Sequence, residues 1–433
     1  MILIEKHDIS KNHRFYKELD ELCFKSKNLY NSTVYRIRQY YFDNKKYLSY
    51  SKVNKIFQEE NQKDYRALPA KVAQEVQRLV DKNFKSFFSL MKLKNKGKYD
   101  KLIKLPRYLH KTKGRQILEY NKQAISFNNR NIEKGYFQLS GTNIKMKTKV
   151  DDIQFIRVVP KSYGITVEVG YKIEERKLKT NDNYASIDIG MNNLATVTFL
   201  EDNPFIINGK PVKSINQLYN KRIAKLKSEQ SKHKRSEYLL TRKMKSVIRK
   251  RNNKIDDYFH KSSRYIVNQL VSKNISKLVI GKNKFWKQDI NIGKKNNQNF
   301  VSIPFNNFIN MLDYKCKLSG IEVIYQDESY TSKASFLNED YIPDYKENEK
   351  IDYTFSGYRK YRGLYKIKRK KIYINADVNG SLNILRKYFQ NNNLNIFFNI
   401  KDYIPTILTI TEKFKGNNHN AKRKLKYLKL KVV

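Results

Sequence analysis

Two aspartates sit where acids are costly. Asp188 lies within the apolar run S186-I-D-I-G190, and Asp377 opens the apolar stretch N375-A-D-V-N-G-S-L-N-I384. A carboxylate inside a buried strand costs several kcal/mol unless a donor or an ion meets it. Asp377 has a competing reading, because an acid in the first turn of a helix also serves as an N-cap or complements the helix dipole. A third stretch, I324-Y-Q-D-E-S-Y-T-S332, sets Asp327 and Glu328 directly after the alternation I321-E-V-I-Y325. Taken alone, acids there read as the solvated end of a strand. Carboxylates from separate elements are what phosphodiester hydrolysis by two Mg²⁺ requires. The ions stand roughly 3.5–4 Å apart, one activating water and one stabilising the leaving oxygen.

The elements that would carry these acids can be inferred from periodicity. MILIEKHDI reads as a strand, and Arg14 to Lys94 as helices, with Tyr30, Val34, Ile37 and Tyr41 at helical spacing. In the segment Leu68 to Phe88, Pro69 stands near the first turn and Val72, Val76, Leu79, Val80 and Phe84 face a core, which leaves Lys71, Gln74, Gln77, Arg78 and Lys85 outward. From Gly114 short alternating runs predict a small antiparallel barrel or sandwich, completed by the N-terminal strand with the helices inserted between.

From Tyr184 the order changes. The run Y184-A-S-I-D-I-G-M-N-N-L-A-T-V-T-F199 predicts a strand, a turn and a strand. Two basic helices come next over 216–271, with an apolar stripe of Leu218, Ile223, Leu226, Ile255, Phe259, Ile266 and Leu270. Then come strand K277-L-V-I-G281, a helix over 303–318, strand 321–325, a Tyr-, Lys- and Arg-rich insertion over 332–373 and a helix after Ile374. This is the order of an α/β, ribonuclease H-like sheet. The tail after Phe389 is Asn- and Lys-rich, and its stretch 421–433 alternates as a strand or basic arm would.

Composition points to a polyanionic partner. Against 41 Asp and Glu stand 89 Lys and Arg, a formal charge of +48 interleaved with 32 Tyr and 23 Phe. Such self-repulsion is relieved by nucleic acid, and the spread of cations among aromatic residues suits backbone contact and stacking better than one membrane-anchoring helix. The run K243-M-K-S-V-I-R-K-R-N252 reads equally as a phosphate-tracking face or a solvated one. Only Cys23 and Cys316 are present, which gives neither a disulfide framework nor a zinc pair. No run has the length of a membrane span, and a cytoplasmic, nucleoid-associated protein is expected.

SIDIGMNNLATV, LVIGKNKFWKQ, DESYTSKASF and NADVNGSLNI, in this order, resemble the RuvC-type nuclease core of TnpB proteins, transposon-encoded RNA-guided DNA endonucleases related to type V CRISPR effectors. The likeness is close through 184–387. It implies a multi-lobe α/β architecture: a barrel-like wedge domain over 1–11 and 112–183, a helical recognition lobe over 12–111, a RuvC-like domain over 184–389 and a basic tail over 390–433. It departs in two places. Most of the family carries a catalytic Glu where this chain has Gly281, and a ribonuclease H-like sheet sets the strand before Glu328 parallel to that one, about 4.8 Å away. Glu328 then enters the space left by Gly281, while Asp327 faces the other side. The implied metal triad is Asp188, Glu328 and Asp377, holding two Mg²⁺, with Mn²⁺ as a substitute.

Many relatives also carry a four-cysteine zinc knuckle in the insertion. None of those cysteines exists here, so zinc is not expected and Tyr345, Tyr353, Phe355, Tyr358, Tyr361 and Tyr365 take its place by packing or by stacking on nucleic acid. The implied partners are a guide RNA and a double-stranded DNA target that forms an RNA–DNA heteroduplex, with one protein per RNA. Candidate nucleic-acid contacts are Lys71, Gln74, Gln77, Arg78, Lys243, Lys245, Arg249, Lys250, Arg251, Arg359 and Arg362. The alternatives are a nuclease-inactive RNA-guided repressor, which Gly281 favours, an RNA-independent transposase or resolvase, and a structural RNA-binding protein, which has no need of Asp188 and Asp377 in apolar settings.

Overall fold

Strict alternation in ILIEKHDIS makes β1 (Ile2–Ser10) a strand with one face inward. In the computed structural model, which describes residues 1–127, 132–232, 240–282, 293–345, 353–361, 363–368, 372–400 and 402–410, the chain forms two compact units, Met1–Glu174 and Glu175–Val433. The alternating stretch 421–433 and Arg362 lie outside the described residues.

In the first unit, helices α1 (Tyr16–Asn44), α2 (Tyr50–Glu59), α3 (Lys63–Arg66) and α4 (Ala70–Asn95) come after β1. Strands β2 (Leu118–Asn121), β3 (Ile125–Phe127), β4 (Tyr136–Leu139), β5 (Lys145–Lys147), β6 (Ile153–Lys161) and β7 (Gly164–Lys172) come next. Hydrogen bonding divides the strands into an antiparallel sheet β1-β7-β6-β2 and a smaller sheet β3-β4-β5. Periodicity sets the helices and the strands apart as two lobes. They instead share one core, in which Leu19, Val34, Val76, Val80 and Phe84 pack with Tyr120, Val158 and Val167. The boundary also falls at 174 rather than 183.

The second unit is built on a six-stranded sheet. Its strands are β8 (Tyr184–Asp188), β9 (Asn193–Phe199), β10 (Phe205–Asn208), β11 (Lys277–Gly281), β12 (Glu322–Gln326) and, later in the chain, β16 (Thr406–Leu408). Their order is β12-β11-β8-β9-β10-β16. Neighbours β8–β9–β10 run antiparallel, whereas β8–β11–β12 run parallel. That is the order expected of a ribonuclease H-like sheet, with β16 added from the Asn- and Lys-rich tail. The basic helices are α5 (Lys210–Lys232) and α6 (Arg242–Ser272), succeeded by α7 (Lys294–Ser302) and α8 (Phe305–Lys317). On α6, Ile255, Phe259, Ile266 and Leu270 are buried as expected, but Leu218 on α5 is exposed, and α5 instead buries Val212 and Asn216.

The insertion folds as a sheet of β13 (Gly357–Tyr361), β14 (Leu364–Ile367) and β15 (Tyr373–Asn375), leading directly into α9 (Ala376–Asn391). Its aromatics divide. Tyr365 is buried, Tyr353 and Phe355 pack on Tyr330, and Tyr345, Tyr358 and Tyr361 are exposed. Both cysteines are buried and free. Among the described residues no helix is long and apolar enough to cross a membrane.

Phe259 anchors α6 against α8, with its ring 5.2 Å from that of Phe308 and no solvent exposure. Phe259→Ala is expected to destabilise the second unit by about 3–5 kcal/mol through lost burial and a residual cavity. Denaturant titration checks this.

Candidate active site

The carboxyl ends of parallel strands open a crevice, and here β8 and the loop after β12 deliver acids into it. Asp188 is the last residue of β8, and Gly380 of α9 lies so close that a Cβ there would stand 3.1 Å from Asp188 Oδ2. Glycine at 380 thus lets the helix approach the strand that carries the acid.

Asp377 sits in the first turn of α9 but is not its cap. Asn375 fills that role, its side chain accepting from the backbone N–H of Asp377 at 3.0 Å and of Val378 at 3.2 Å. The Asp377 carboxylate is left for other contacts. Arg359 of β13 donates to Oδ1 at 2.8 Å, and Asn193 Nδ2 donates to Oδ2 at 2.6 Å.

Strand β12 ends at Gln326, which pairs with Gly281, so Asp327 and Glu328 belong to the turn beyond it. The two side chains part there. Asp327 Oδ1 accepts from Ser329 N–H at 3.0 Å and from Lys387 Nζ at 3.3 Å. Glu328 reaches over Gly281, where an added Cβ would stand 2.9 Å from its Oε2 and 2.5 Å from Ile384 Cδ1. A carboxylate therefore occupies the space above Gly281.

Asp188, Glu328 and Asp377 line one cleft of about 610 Å³, together with Asn193, Tyr330 and Arg359. Tyr330 holds φ at +63°, a left-handed conformation unusual for a bulky residue. Burial, reinforced by the charges of Glu328 and Asp377, pushes Asp188 well above the usual carboxylate range, with Arg359 opposing in part. Burial and then Asp327 raise Glu328 to about 7. Burial acts on Asp327 in the same direction, but the bonds from Ser329 and the nearby Lys387 outweigh it and leave that acid below its ordinary value.

Among the described residues no three ligand side chains stand in a ready-made metal-holding arrangement, and Asp377 is engaged by Arg359 and Asn193. The donor chemistry still suits Mg²⁺, a hard cation that takes oxygen ligands. Two clustered carboxylates pushed toward their neutral form are the electrostatic situation that a bound divalent cation reverses.

The remaining candidates scatter. Gln77, expected to face outward, is buried, because it lies on the face of α4 shared with Ala73, Val80 and Phe84. Lys71 is exposed, Gln74 half-buried, and Arg78 is paired with Glu75 at 2.8 Å while lying over the Tyr50 ring. On α6, Lys243 and Lys250 are exposed and Lys245 and Arg249 half-buried. Arg251 is tied inward to Asn216 at 2.8 Å and to the Ser302 carbonyl, and burial lowers its pKa. The structure places Arg359 on an acid of the cleft. Sequence reasoning missed Asn193, although it stands five residues after Asp188, and Lys387, which beside Arg386 reads as an ordinary solvated cation of a helix.

Residues 165–287 match the probable-transposase family OrfB_IS605, and residues 305–384 match the Cas12f1-like TNB domain. The TnpB-like protein ORF457 of Acidianus two-tailed virus is 25% identical over 411 residues, which span 86% of this chain and 83% of the viral protein. Two solved structures are similar at a lower level. The Cas12f1–sgRNA–target DNA complex shows 14% identity and a TM-score of 0.34 over 89% of this chain and 98% of that one. The mini-RNA-guided endonuclease CRISPR-Cas_phi3 shows 10% identity and a TM-score of 0.41 over 89% and 92%.

The raised carboxylates fix a pH dependence. Groups whose folded pKa lies above the unfolded value stabilise the fold below the unfolded pKa, and that stability is lost as pH rises through the folded pKa. For Glu328 the window runs from the ordinary 4.5 to about 7. In chelator the melting temperature is therefore expected to fall between about pH 4.5 and about pH 7, less so in Glu328→Gln and less so with saturating Mg²⁺. An equal fall in all three conditions would remove Glu328 as the cause.

Proposed function

The two family matches and the viral relative support a TnpB-family protein related to RNA-guided nucleases, and on that premise we propose that it is a Mg²⁺-dependent endonuclease that cuts a DNA target selected by a guide RNA. The observation that carries the reading is the meeting of Asp188, Glu328 and Asp377 in one cleft, with two of the three pushed toward the neutral form. Three elements far apart in sequence supply them, and clustered carboxylates are the ligand set that two-metal hydrolysis of a phosphodiester uses. A chain of +48 charge would gain little from gathering acids unless they served such chemistry.

Asp188, Glu328 and Asp377 would hold the cations, which supply water activation and stabilisation of the leaving oxygen. The chain's own residues prepare this. Asn193 and Arg359 orient the Asp377 carboxylate by donating to Oδ2 and Oδ1, and each oxygen keeps a second lone pair that a cation could take. Burial and the neighbouring Asp327 push Glu328 toward its neutral form, and a cation held there would favour the ionised carboxylate, whose oxygens would bind it. Arg359 lines the cleft and stays partly exposed beside Asp377, where a backbone phosphate entering the cleft would meet a cation. Guide pairing would give sequence specificity, and the protein would read only a short motif beside the target, with Lys71, Gln74 and Arg78 on the outer side of α4 as candidate contacts. The inactive-repressor reading rests on Gly281, and the Glu328 carboxylate lies directly over that glycine.

Cleavage of one matched target by purified ribonucleoprotein tests this. Asp188→Ala, Asp377→Ala and Glu328→Gln are each expected to lose cleavage by orders of magnitude while RNA binding persists, and Asp327→Asn to be mild. Adding Gly281→Glu to Glu328→Gln is expected to restore little, because of the contact with Ile384. Wild-type cutting by Asp188→Ala would sink the assignment.

A second outcome concerns affinity. Guide RNA binding is expected to weaken by about 10³–10⁵ between 50 and 200 mM salt. Flat affinity in a filter-binding titration would mean that the basic surface is not the interface.

A further inference from the structure

Lys387 is a basic side chain with no solvent exposure, and such a group persists only where several acceptors converge on it. Its Nζ donates to the carbonyls of Pro343 at 3.1 Å and Ser329 at 3.2 Å, and pairs with Asp344 at 3.0 Å and Asp327 at 3.3 Å. Two of these partners, Asp327 and Ser329, flank Glu328. They are joined to each other by the Ser329 N–H bond to Asp327 Oδ1. The Glu328 carbonyl is closed off by Thr331, which donates from Oγ1 at 2.8 Å and from its backbone N–H at 3.2 Å. With both neighbours gripped on the Lys387 side, the Glu328 side chain goes to the opposite side, over Gly281 and into the cleft.

We propose that Lys387 is a positioning residue that, by holding Asp327 and Ser329, determines which of the two adjacent acids enters the cleft and at what register. This rests on the two-metal reading of Asp188, Glu328 and Asp377. The grip extends along the same helix, where Asn383 Nδ2 donates to the carbonyls of Thr331 at 2.9 Å and Ala334 at 2.7 Å. The partners of Lys387 are Asp327, Ser329, Pro343 and Asp344, not the three acids of the cleft. It acts by fixing the turn, as groups behind metal ligands commonly do.

The test measures target cleavage against Mg²⁺ concentration, with melting temperature and guided target binding in parallel, for Lys387→Met, Asp327→Asn and the double variant. Lys387→Met is expected to raise the Mg²⁺ needed for half-maximal cleavage about 10- to 100-fold while target affinity holds. Asp327→Asn alone leaves three of the Lys387 contacts and is expected to shift it little. The double variant, relieved of an orphan charge, is expected to keep the full Mg²⁺ defect, and it carries the test if Lys387→Met alone does not fold.

A normal Mg²⁺ requirement in the folded double variant would overturn the proposal, since Lys387 would then serve only to neutralise Asp327. Failure of both Lys387 variants to fold would overturn it in favour of a purely structural ion cluster. Asp188→Asn separates the two levels of argument: if it cuts normally, the two-metal reading itself fails, and if it is dead while the Lys387 variants are normal, only the positioning role fails.

Discussion

The site depends on one close contact, the docking of α9 against the middle of the sheet. Three hydroxyls make it. Ser186 on β8 and Thr198 on β9 stand 2.6 Å apart, Ser186 donates to the Ser381 carbonyl at 2.7 Å, and Ser381 Oγ meets Thr198 at 2.9 Å and the Thr196 carbonyl at 3.1 Å. All are buried, where an unmet hydroxyl is costly and a satisfied network fixes one arrangement. Apolar contacts alone would let the helix slide. Hydroxyls two residues from Asp188 and four from Asp377 remove that freedom and set the two acids against each other.

The same helix then orders the loop after β12. Asn379, Asn383, Arg386, Lys387 and Gln390 all bond to backbone between Ser329 and Pro343. A loop without regular pairing must satisfy its carbonyls somewhere, and α9 supplies donors at helical spacing. One helix thus carries an acid, approaches a second and positions a third.

How much of this was legible in sequence varies with the physics behind each part. The strand order of the second unit was readable because apolar runs and basic amphipathic helices alternate cleanly through 184–391. Asp188 stood out by its cost in an apolar strand. The parting of Asp327 from Glu328 was expected from strand alternation, although the residues proved to lie just past the strand, where Asp327 is bonded by Ser329 and Lys387 and Glu328 lies over Gly281. Gln77 misled because helical spacing alone does not say how wide the buried face is, and α4 packs against α1 and α2 as well as β2. The shared core of the first unit was hidden because packing between helices and strands leaves no periodic trace. Strand β16 was hidden because three residues are too few to show a pattern.

That short strand has a consequence for the order of assembly. β16 pairs with β10, Phe205 opposite Thr406, across some two hundred intervening residues. During synthesis the sheet's β10 edge therefore waits, uncovered, until the segment near Ile407 leaves the ribosome. Contacts so distant in sequence form slowly because the loop must close before pairing repays it. A waiting edge rich in Phe and Ile is also a place for wrong partners to add. The pace at which the segment around β16 emerges thus bears on the yield of the folded second unit, even though β16 lies at the far side of the sheet from β11 and β12.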